Sequence, residues 1–435
     1  MTLDLSFYGD DFTGSTDVME ALSSNGLPTV LFTRLPTEAQ RAAFPDARAV
    51  GLAGTSRSQS PDWMGANLPA IYAWLRGLGA RHCHYKTCST FDSAPHIGNI
   101  GRATELGLAA FDQTHAHIVV GAPQLRRYTM FGTLFASYQT DTYRIDRHPV
   151  MSRHPATPMA EADVCRHLAA QTALQTGTLN PDTLLAATPL DALHARRAAG
   201  DVLTLIDVWD AASQTRAGHL VEDALSDTGP FIVGSSGVEY ALIQAWRATG
   251  RLPTPPAPEP LGPEHAIAVV SGSCSPTTGR QIETALAHGF TGIALDYTAL
   301  ASGQGAESLL SDAFEQASTA LRAGTSPLVY TAKGHSTATL SDAANDRVGR
   351  ALGKLLNDLM ATHPLRRVVV AGGDTSSHAL SELDTYALTL RRPLPETPGS
   401  PVCRAHRDRT APFEIALKGG QVGSDSYFVT LRDGL

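Results

Sequence analysis

Asp10 and Asp11 stand side by side in the segment GDDFTGS, directly after a β-rich run and directly before a helical one. Two neighbouring carboxylates raise one another's pKa, so such a pair can take a proton from a hydroxyl or hold a divalent cation. The bland alternative gives one of them to the helix as its N-cap, which still leaves the other. Arg57, in Ser56-Arg57-Ser58, follows another β-rich run and offers a planar fork for a carboxylate, although a surface arginine in a loop reads the same way. A third place starts with Lys86 at a strand end, continues through Thr87, Cys88, Ser89 and Asp92, and reaches GNIG at residues 98–101. Strand-end lysine, hydroxyls and glycine-freed backbone N–H groups together make an anion site, whereas a polar turn has no need of the lysine.

The second half of the chain repeats the theme with glycine. SGSCSP (residues 271–276) contains Ser273 and places Pro276 where a first helical turn accepts it. AGGDTSS (residues 371–377) holds Gly372, Gly373, Asp374 and Thr375; paired glycines let a backbone approach a phosphate, and Asp374 is suited to Mg²⁺ or a ribose. LKGGQVG (residues 417–423) adds Gly419 and Gly420. Each alone is ordinary turn chemistry, but three in one half of the chain form a pattern. None is a Walker A sequence, and no G-x-G-x-x-G follows the first strand. GSSG at residues 234–237 lacks the spacing of a nucleophile elbow and reads as a helix-opening turn. His82, Cys83 and His84 resemble metal ligands in one dimension only. Strand alternation sends the two histidines to one face and the cysteine to the other, which favours packing.

What must position these residues is an alternation of short β-rich runs with amphipathic helical stretches. Strands are expected at residues 3–8, 28–33, 49–53, 82–86, 117–120, 202–206 and 231–233, which argues for a mainly parallel sheet covered on both faces. The proline-rich text RLPTPPAPEPLGPE (residues 251–264) forbids a helix and marks a connector between domains 1–250 and 265–435. Beyond it the pattern restarts with strands expected at 266–270, 292–295, 327–331 and 368–371. Ligands of open α/β sheets bind at the carboxyl ends of strands, and that is where the motif residues fall. The expected fold class is α/β, with two domains, each a mainly parallel or mixed sheet flanked by helices, and an active site in the cleft between them.

Composition narrows the function. A chain of 435 residues with 43% apolar and 17% charged residues has material for two large cores. A formal charge of -8 without a Lys/Arg block excludes nucleic acid as a partner. Neither an N-terminal leader pattern nor an apolar run of membrane-spanning length is present, so no membrane partner is expected. Five scattered cysteines suit free thiols in a reducing compartment, the cytoplasm.

Taken in order, these motifs together with HPATPM (residues 154–159) resemble the four-carbon acid sugar kinases, formerly the family DUF1537, over nearly the whole chain. The wording KTCSTFDS (residues 86–93) is most similar to the 3-oxo-tetronate kinase branch; threonate, erythronate and 3-oxo-isoapionate kinases are the alternatives. The resemblance implies that Asp10, Arg57, Lys86, Thr87, Cys88 and Ser89 bind the sugar acid, with Asp10, Asp11 and Lys86 in catalysis. It implies that Ser273, Gly372, Gly373, Asp374, Thr375 and Gly420 bind ATP; Gly419 of the same glycine loop is added to that set, and Asp374, by its place after a strand, is the candidate Mg²⁺ ligand. Ser377 stands where the family usually has glycine, and KGGQVG stands where a KSGNFG-like text is usual. The implied partners are a sugar acid and ATP, and a homo-oligomer stays open. Two rivals make other predictions: a nicotinamide-dependent oxidoreductase gives absorbance changes without Mg²⁺, and a sugar-acid sensor binds ligand without consuming ATP.

Overall fold

Short apolar runs closed by glycine or a polar residue become the strands of the first unit, residues 1–256, in this computed structural model. The structure describes residues 3–154, 156–255, 257–332, 342–394, 396–397, 399–408 and 410–435, without the side chains of residues 342, 343, 373, 374 and 377. In chain order the strands are β1 (Leu5–Gly9), β2 (Thr29–Phe32), β3 (Ala49–Ala53), β4 (His82–Lys86), β5 (Ala116–Val119), β6 (Arg127–Met130), β7 (Thr133–Tyr138), β8 (Asp141–Arg144), β9 (Thr176–Leu179), β10 (Leu203–Ile206) and β11 (Phe231–Gly234). Eight of them form one sheet in the order β2-β3-β1-β4-β11-β5-β10-β9, every neighbouring pair parallel. Strands covered on both faces need apolar residues at odd and even positions alike, and β1 and β4 are buried along their whole length. Tyr8 and Tyr85 stack across that pair at 6.2 Å, with Tyr72 from the helix Pro61–Gly77 edge-on to both.

Register aligns the chemistry. Gly9 pairs with Ala53 on one side and Lys86 on the other, Lys86 pairs with Gly234, and Gly234 with Val119. The loops that leave these strands therefore start from one row at the carboxyl edge of the sheet.

The second unit, residues 257–435, repeats this plan with a different ending. Its strands are β12 (Ala268–Ser271), β13 (Thr291–Ala294), β14 (Pro327–Tyr330), β15 (Arg367–Ala371), β16 (Thr385–Arg392), β17 (Val402–Arg407) and β18 (Phe413–Lys418). The order is β13-β14-β12-β15-β18-β17-β16, with β17 antiparallel to both of its neighbours and the remaining pairs parallel. Val269, Ile282, Leu328, Val369, Ala416 and Phe428 belong to its core.

Sequence reasoning found most of the parallel strands; it missed the parallel strands β9 and β18 and the antiparallel ones. The antiparallel meander β6-β7-β8 is half exposed and short, so it carries no long apolar run. It is pinned to the sheet where the Gly132 N–H donates to Asp207 at 3.1 Å and the Thr129 N–H donates to Val208 O at 2.8 Å. The proline-rich stretch is held at both ends by its own unit. Arg251 pairs with Asp4 in the first, while the carbonyls of Pro258 and Pro260 accept from Arg392 at 2.6 Å and Arg391 at 3.0 Å in the second. Among the described residues no helix is long and apolar enough to cross a membrane.

Candidate functional site

In the first unit the row Ala53-Gly9-Lys86-Gly234 delivers four loops to one place. Asp11 turns out to be the helix cap: it precedes the helix Phe12–Ser24, and its Oδ1 accepts the Gly14 N–H at 2.8 Å. Its Oδ2 takes Arg57 Nη1 at 3.1 Å. The other terminal nitrogen of Arg57 donates to Asp92 Oδ2 at 2.8 Å, so a carboxylate already sits on each prong of the fork. Asp92 is completely buried and receives two further hydroxyls, Thr90 at 2.5 Å and Thr157 at 2.9 Å. Burial alone favours its protonated form, but Arg57 and those hydroxyls outweigh it and hold the carboxyl down at about 2. Asp92 is thus a fixed anion that orients Arg57.

Asp10 is the exception. Its backbone is held in the row, N–H to Lys86 O at 2.9 Å and carbonyl to the Arg57 N–H at 3.0 Å. The carboxyl is buried, and its Oδ1 has no hydrogen-bond partner. Burial first, and Asp11 second, push its pKa well above the ordinary carboxylate range against the pull of Arg57 and Lys86. A buried oxygen left without a donor is costly unless something arrives to use it. Lys86 is buried alongside, its ammonium 4.0 Å from Asp17 and packed against the first turn of the helix, where a Cβ on Gly14 would lie 2.9 Å from Nζ. Desolvation works against its charge, yet Asp17, Asp11 and Asp10 together raise its pKa.

The other sequence candidates divide. Thr87 spends its hydroxyl on Gly234 O at 3.1 Å and serves as a clamp between two strand ends. Cys88 Sγ lies 3.0 Å from Thr90 Oγ1 and its thiol is pushed up by burial, while Ser89 is half-buried beside it. The two buried histidines of β4 meet carboxylates, His82 with Glu222 and His84 with Glu239, each at 2.5 Å.

In the second unit Ser271, Ala371 and Lys418 are register partners across β12, β15 and β18. The loops after them converge on a cavity of about 190 Å³ lined by Ser273, Cys274, Tyr297, Asn345, Gly372 and Thr375 among others. Gly372 has φ +126, and a Cβ there would lie 2.7 Å from Thr375 Oγ1 and 3.3 Å from the Ser273 N–H nitrogen. Gly420 also packs close to Ser273 and Ser275, a Cβ on it being 3.0 Å from Ser273 Oγ. Ser275 caps the helix Pro276–Ala287, aiming a helix N-terminus into the same region. Gly419 continues directly from β18. Gly373 and Asp374 open the helix Gly373–Glu382, but their side chains lie outside the described residues, so the Mg²⁺ assignment of Asp374 meets no geometry. Among the described residues no cluster of three His, Cys, Asp or Glu side chains is placed to hold a metal. Tyr297 and Asn345, joined by a 3.1 Å hydrogen bond, carry no sequence signal, since only tertiary approach brings them to the loops. A wider groove of about 550 Å³ between the helices Pro61–Gly77 and Ile100–Phe111 is lined mainly by small apolar residues and Arg76, which pairs with Asp112 at 2.7 Å.

Comparison with known proteins assigns each unit a class. A family model described as a sugar-binding N-terminal domain matches residues 5–242, and one described as a nucleotide-binding C-terminal domain matches residues 268–428. The 3-oxo-isoapionate kinase of Paraburkholderia graminis is 43% identical, covering 99% of this chain and 94% of that protein. The 3-oxo-tetronate kinases of Methylobacterium radiotolerans and Pseudomonas fluorescens are 31% and 32% identical, each over 98% of this chain and over 98% and 95% of theirs. A crystal structure from Salmonella typhimurium LT2 superposes with a TM-score of 0.80 at 26% identity, covering 99% of this chain and 98% of that one.

Proposed function

We propose, on the premise that this chain belongs to the four-carbon acid sugar kinase family, that it transfers the γ-phosphate of ATP to a hydroxyl of a small sugar acid. The observation that carries the reading is Asp10, whose buried and unpartnered carboxylate oxygen lies among two cations, Arg57 and Lys86. In the transfer the acceptor oxygen forms a bond to the γ-phosphorus, the bond from that phosphorus to the β-γ bridging oxygen breaks, and ADP leaves. The hydroxyl proton goes to Asp10. Lys86 offsets charge on the transferring group, and the N–H groups of Arg57 left over from Asp11 and Asp92 hold the acid's carboxylate. In the second unit the backbone at Gly372 and Gly420, with Ser273 and Thr375, cradles the phosphates of ATP, which arrives as its Mg²⁺ complex. The cytoplasm, where ATP is made and used, fits this activity.

The acceptor we favour is the branched acid 3-oxo-isoapionate, because identity to the kinase named for it is 43% against 32% and 31% for two named 3-oxo-tetronate kinases. ADP release measured over small sugar acids should show turnover with both 3-oxo acids and a higher kcat/KM for the branched one. ATP consumption with no sugar acid tested would sink the reading, and a nicotinamide absorbance change in its place would favour an oxidoreductase.

Arg57→Lys keeps the charge and loses the two-pronged geometry. A charged hydrogen bond of about 1.5–3 kcal/mol is at stake, so the KM for the acid should rise about 10- to 100-fold. The corresponding amide of the substrate should be little affected. Equal losses for acid and amide would mean that Arg57 serves only to link Asp11 and Asp92.

A further inference from the structure

Lys418 invites the reading usual for a lysine beside a nucleotide site, a side chain that reaches out to a phosphate. Its surroundings give it a different task. The residue is wholly buried at the end of β18, and its Nζ points inward. Four oxygens surround that nitrogen: Gly419 O at 2.7 Å, Thr278 Oγ1 at 3.1 Å, Val422 O at 3.3 Å and Gly420 O at 3.4 Å. None of the four is anionic. Thr278 in turn donates to Gly420 O at 3.0 Å, and Gln281 donates to Val422 O and Ser424 O at 3.0 Å each. The ring of Tyr427 closes one side at 5.9 Å.

A ring of carbonyl and hydroxyl oxygens around one positive charge is the arrangement a protein builds for a small monovalent cation. Here the ammonium occupies that place, and the loop of residues 419–424 is wrapped around it. The same loop carries Gly420, which fits so tightly against Ser273 and Ser275 that a Cβ would lie 3.0 Å from Ser273 Oγ and 3.3 Å from Ser275 Cβ.

We propose that Lys418 is a positioning residue for the nucleotide: its ammonium is the internal cation around which the phosphate-facing loop folds, and it never touches the nucleotide itself. This rests on the reading of the second unit as the ATP site. The charge is held weakly. Burial lowers the lysine to about 8, and no charged partner opposes that. Tyr427 is the titratable side chain facing it among the described residues; Asp425 pairs outward with Arg280 at 3.0 Å, and the helix Pro276–Ala287 presents uncharged Thr278 and Gln281. Loss of the proton leaves an amine with fewer N–H groups for four oxygens and no charge to hold their dipoles. A lysine with a lowered pKa is charged below it and neutral above, so the loop loosens as pH rises through that value.

The experiment is calorimetric binding of ADP and Mg·ATP to the full chain between about pH 6.5 and pH 9.5, for the wild type, Lys418→Met and Lys418→Ala. Wild-type affinity should fall about tenfold or more across the lysine's titration, while the methionine variant binds that much more weakly at every pH and shows no such step. Methylammonium should partly restore nucleotide binding to Lys418→Ala, and tetramethylammonium, with no N–H to donate, should not. The KM for the sugar acid should stay within about twofold in variants that fold, as expected for a site that does not share the loop. A wild type that binds nucleotide equally well at both ends of the range overturns the role of Lys418 and leaves the ATP site standing. A wild type that binds no nucleotide at any pH overturns the site as well. Should both variants fail to fold, a flat wild-type profile still overturns the role of Lys418.

Discussion

Asp10→Asn should lower kcat by about 10²–10⁴-fold while the KM for the sugar acid changes little, the loss usual for a positioned proton acceptor. The amide is isosteric and can still sit in the buried position, but it cannot take the hydroxyl proton. Because burial and Asp11 raise the carboxyl of Asp10, the wild type must lose that proton before it can act as base. The acid limb of kcat/KM should therefore lie well above the usual carboxylate range of about 4, and it should vanish in the variant. Stability should move the other way. A carboxyl raised in the folded state contributes stability below its unfolded pKa and loses it as pH rises through the folded one. The melting temperature of Asp10→Asn should thus equal or exceed that of the wild type, by a margin that widens as pH rises. A variant that turns over near the wild-type rate would remove Asp10 as base. Asp92 would be a poor replacement, since Arg57, Thr90 and Thr157 hold it ionised and occupied.

The second large effect is expected at Gly372. Its φ of +126 belongs to a region that L side chains rarely adopt, and a Cβ would press on Thr375 Oγ1. Valine there carries about 1–3 kcal/mol of backbone strain and places methyl groups where the phosphates must approach the chain. The KM for ATP should rise on the order of 100-fold while that for the acid stays within about twofold, the two being read from the same steady-state data. A thermal melt separates this from unfolding. Equal rises for both substrates would show that the loop serves the fold rather than the nucleotide.

Legibility in the sequence followed local pattern. Every run that read as a strand before a polar or glycine turn, from Leu5–Gly9 to Arg367–Ala371, is a parallel strand; most are apolar because they are buried on both faces, while β4 buries His82, His84 and Lys86. The strands Thr385–Arg392 and Val402–Arg407 escaped notice, since their arginines and half-exposed positions interrupt that signal. Within the first site, Asp10 and Asp11 were visible as a pair, and capping explains why they separate: Asp11 is spent on the Gly14 N–H and Asp10 is not. What sequence did not reveal was partnership. Nothing in the text places Asp92 and Thr157 beside Arg57, or Tyr297 and Asn345 beside Ser273, because those approaches join segments far apart in the chain.

The two rows of register partners have a consequence for how such a chain can vary over generations. In the second unit Ser271, Ala371 and Lys418 stand level across three strands, although two antiparallel strands and their turns intervene before the third. Insertions and deletions in those turns cost little, since closing a somewhat longer loop adds only a fraction of a kcal/mol, about 0.6 for each doubling of length. A single-residue slip within β18 is different in kind: it turns Lys418 to the opposite face and moves Gly420 away from Ser273 in one event. Drift in length is therefore expected to collect in the connections before and after β17, while the phase of β18 is what inheritance must keep.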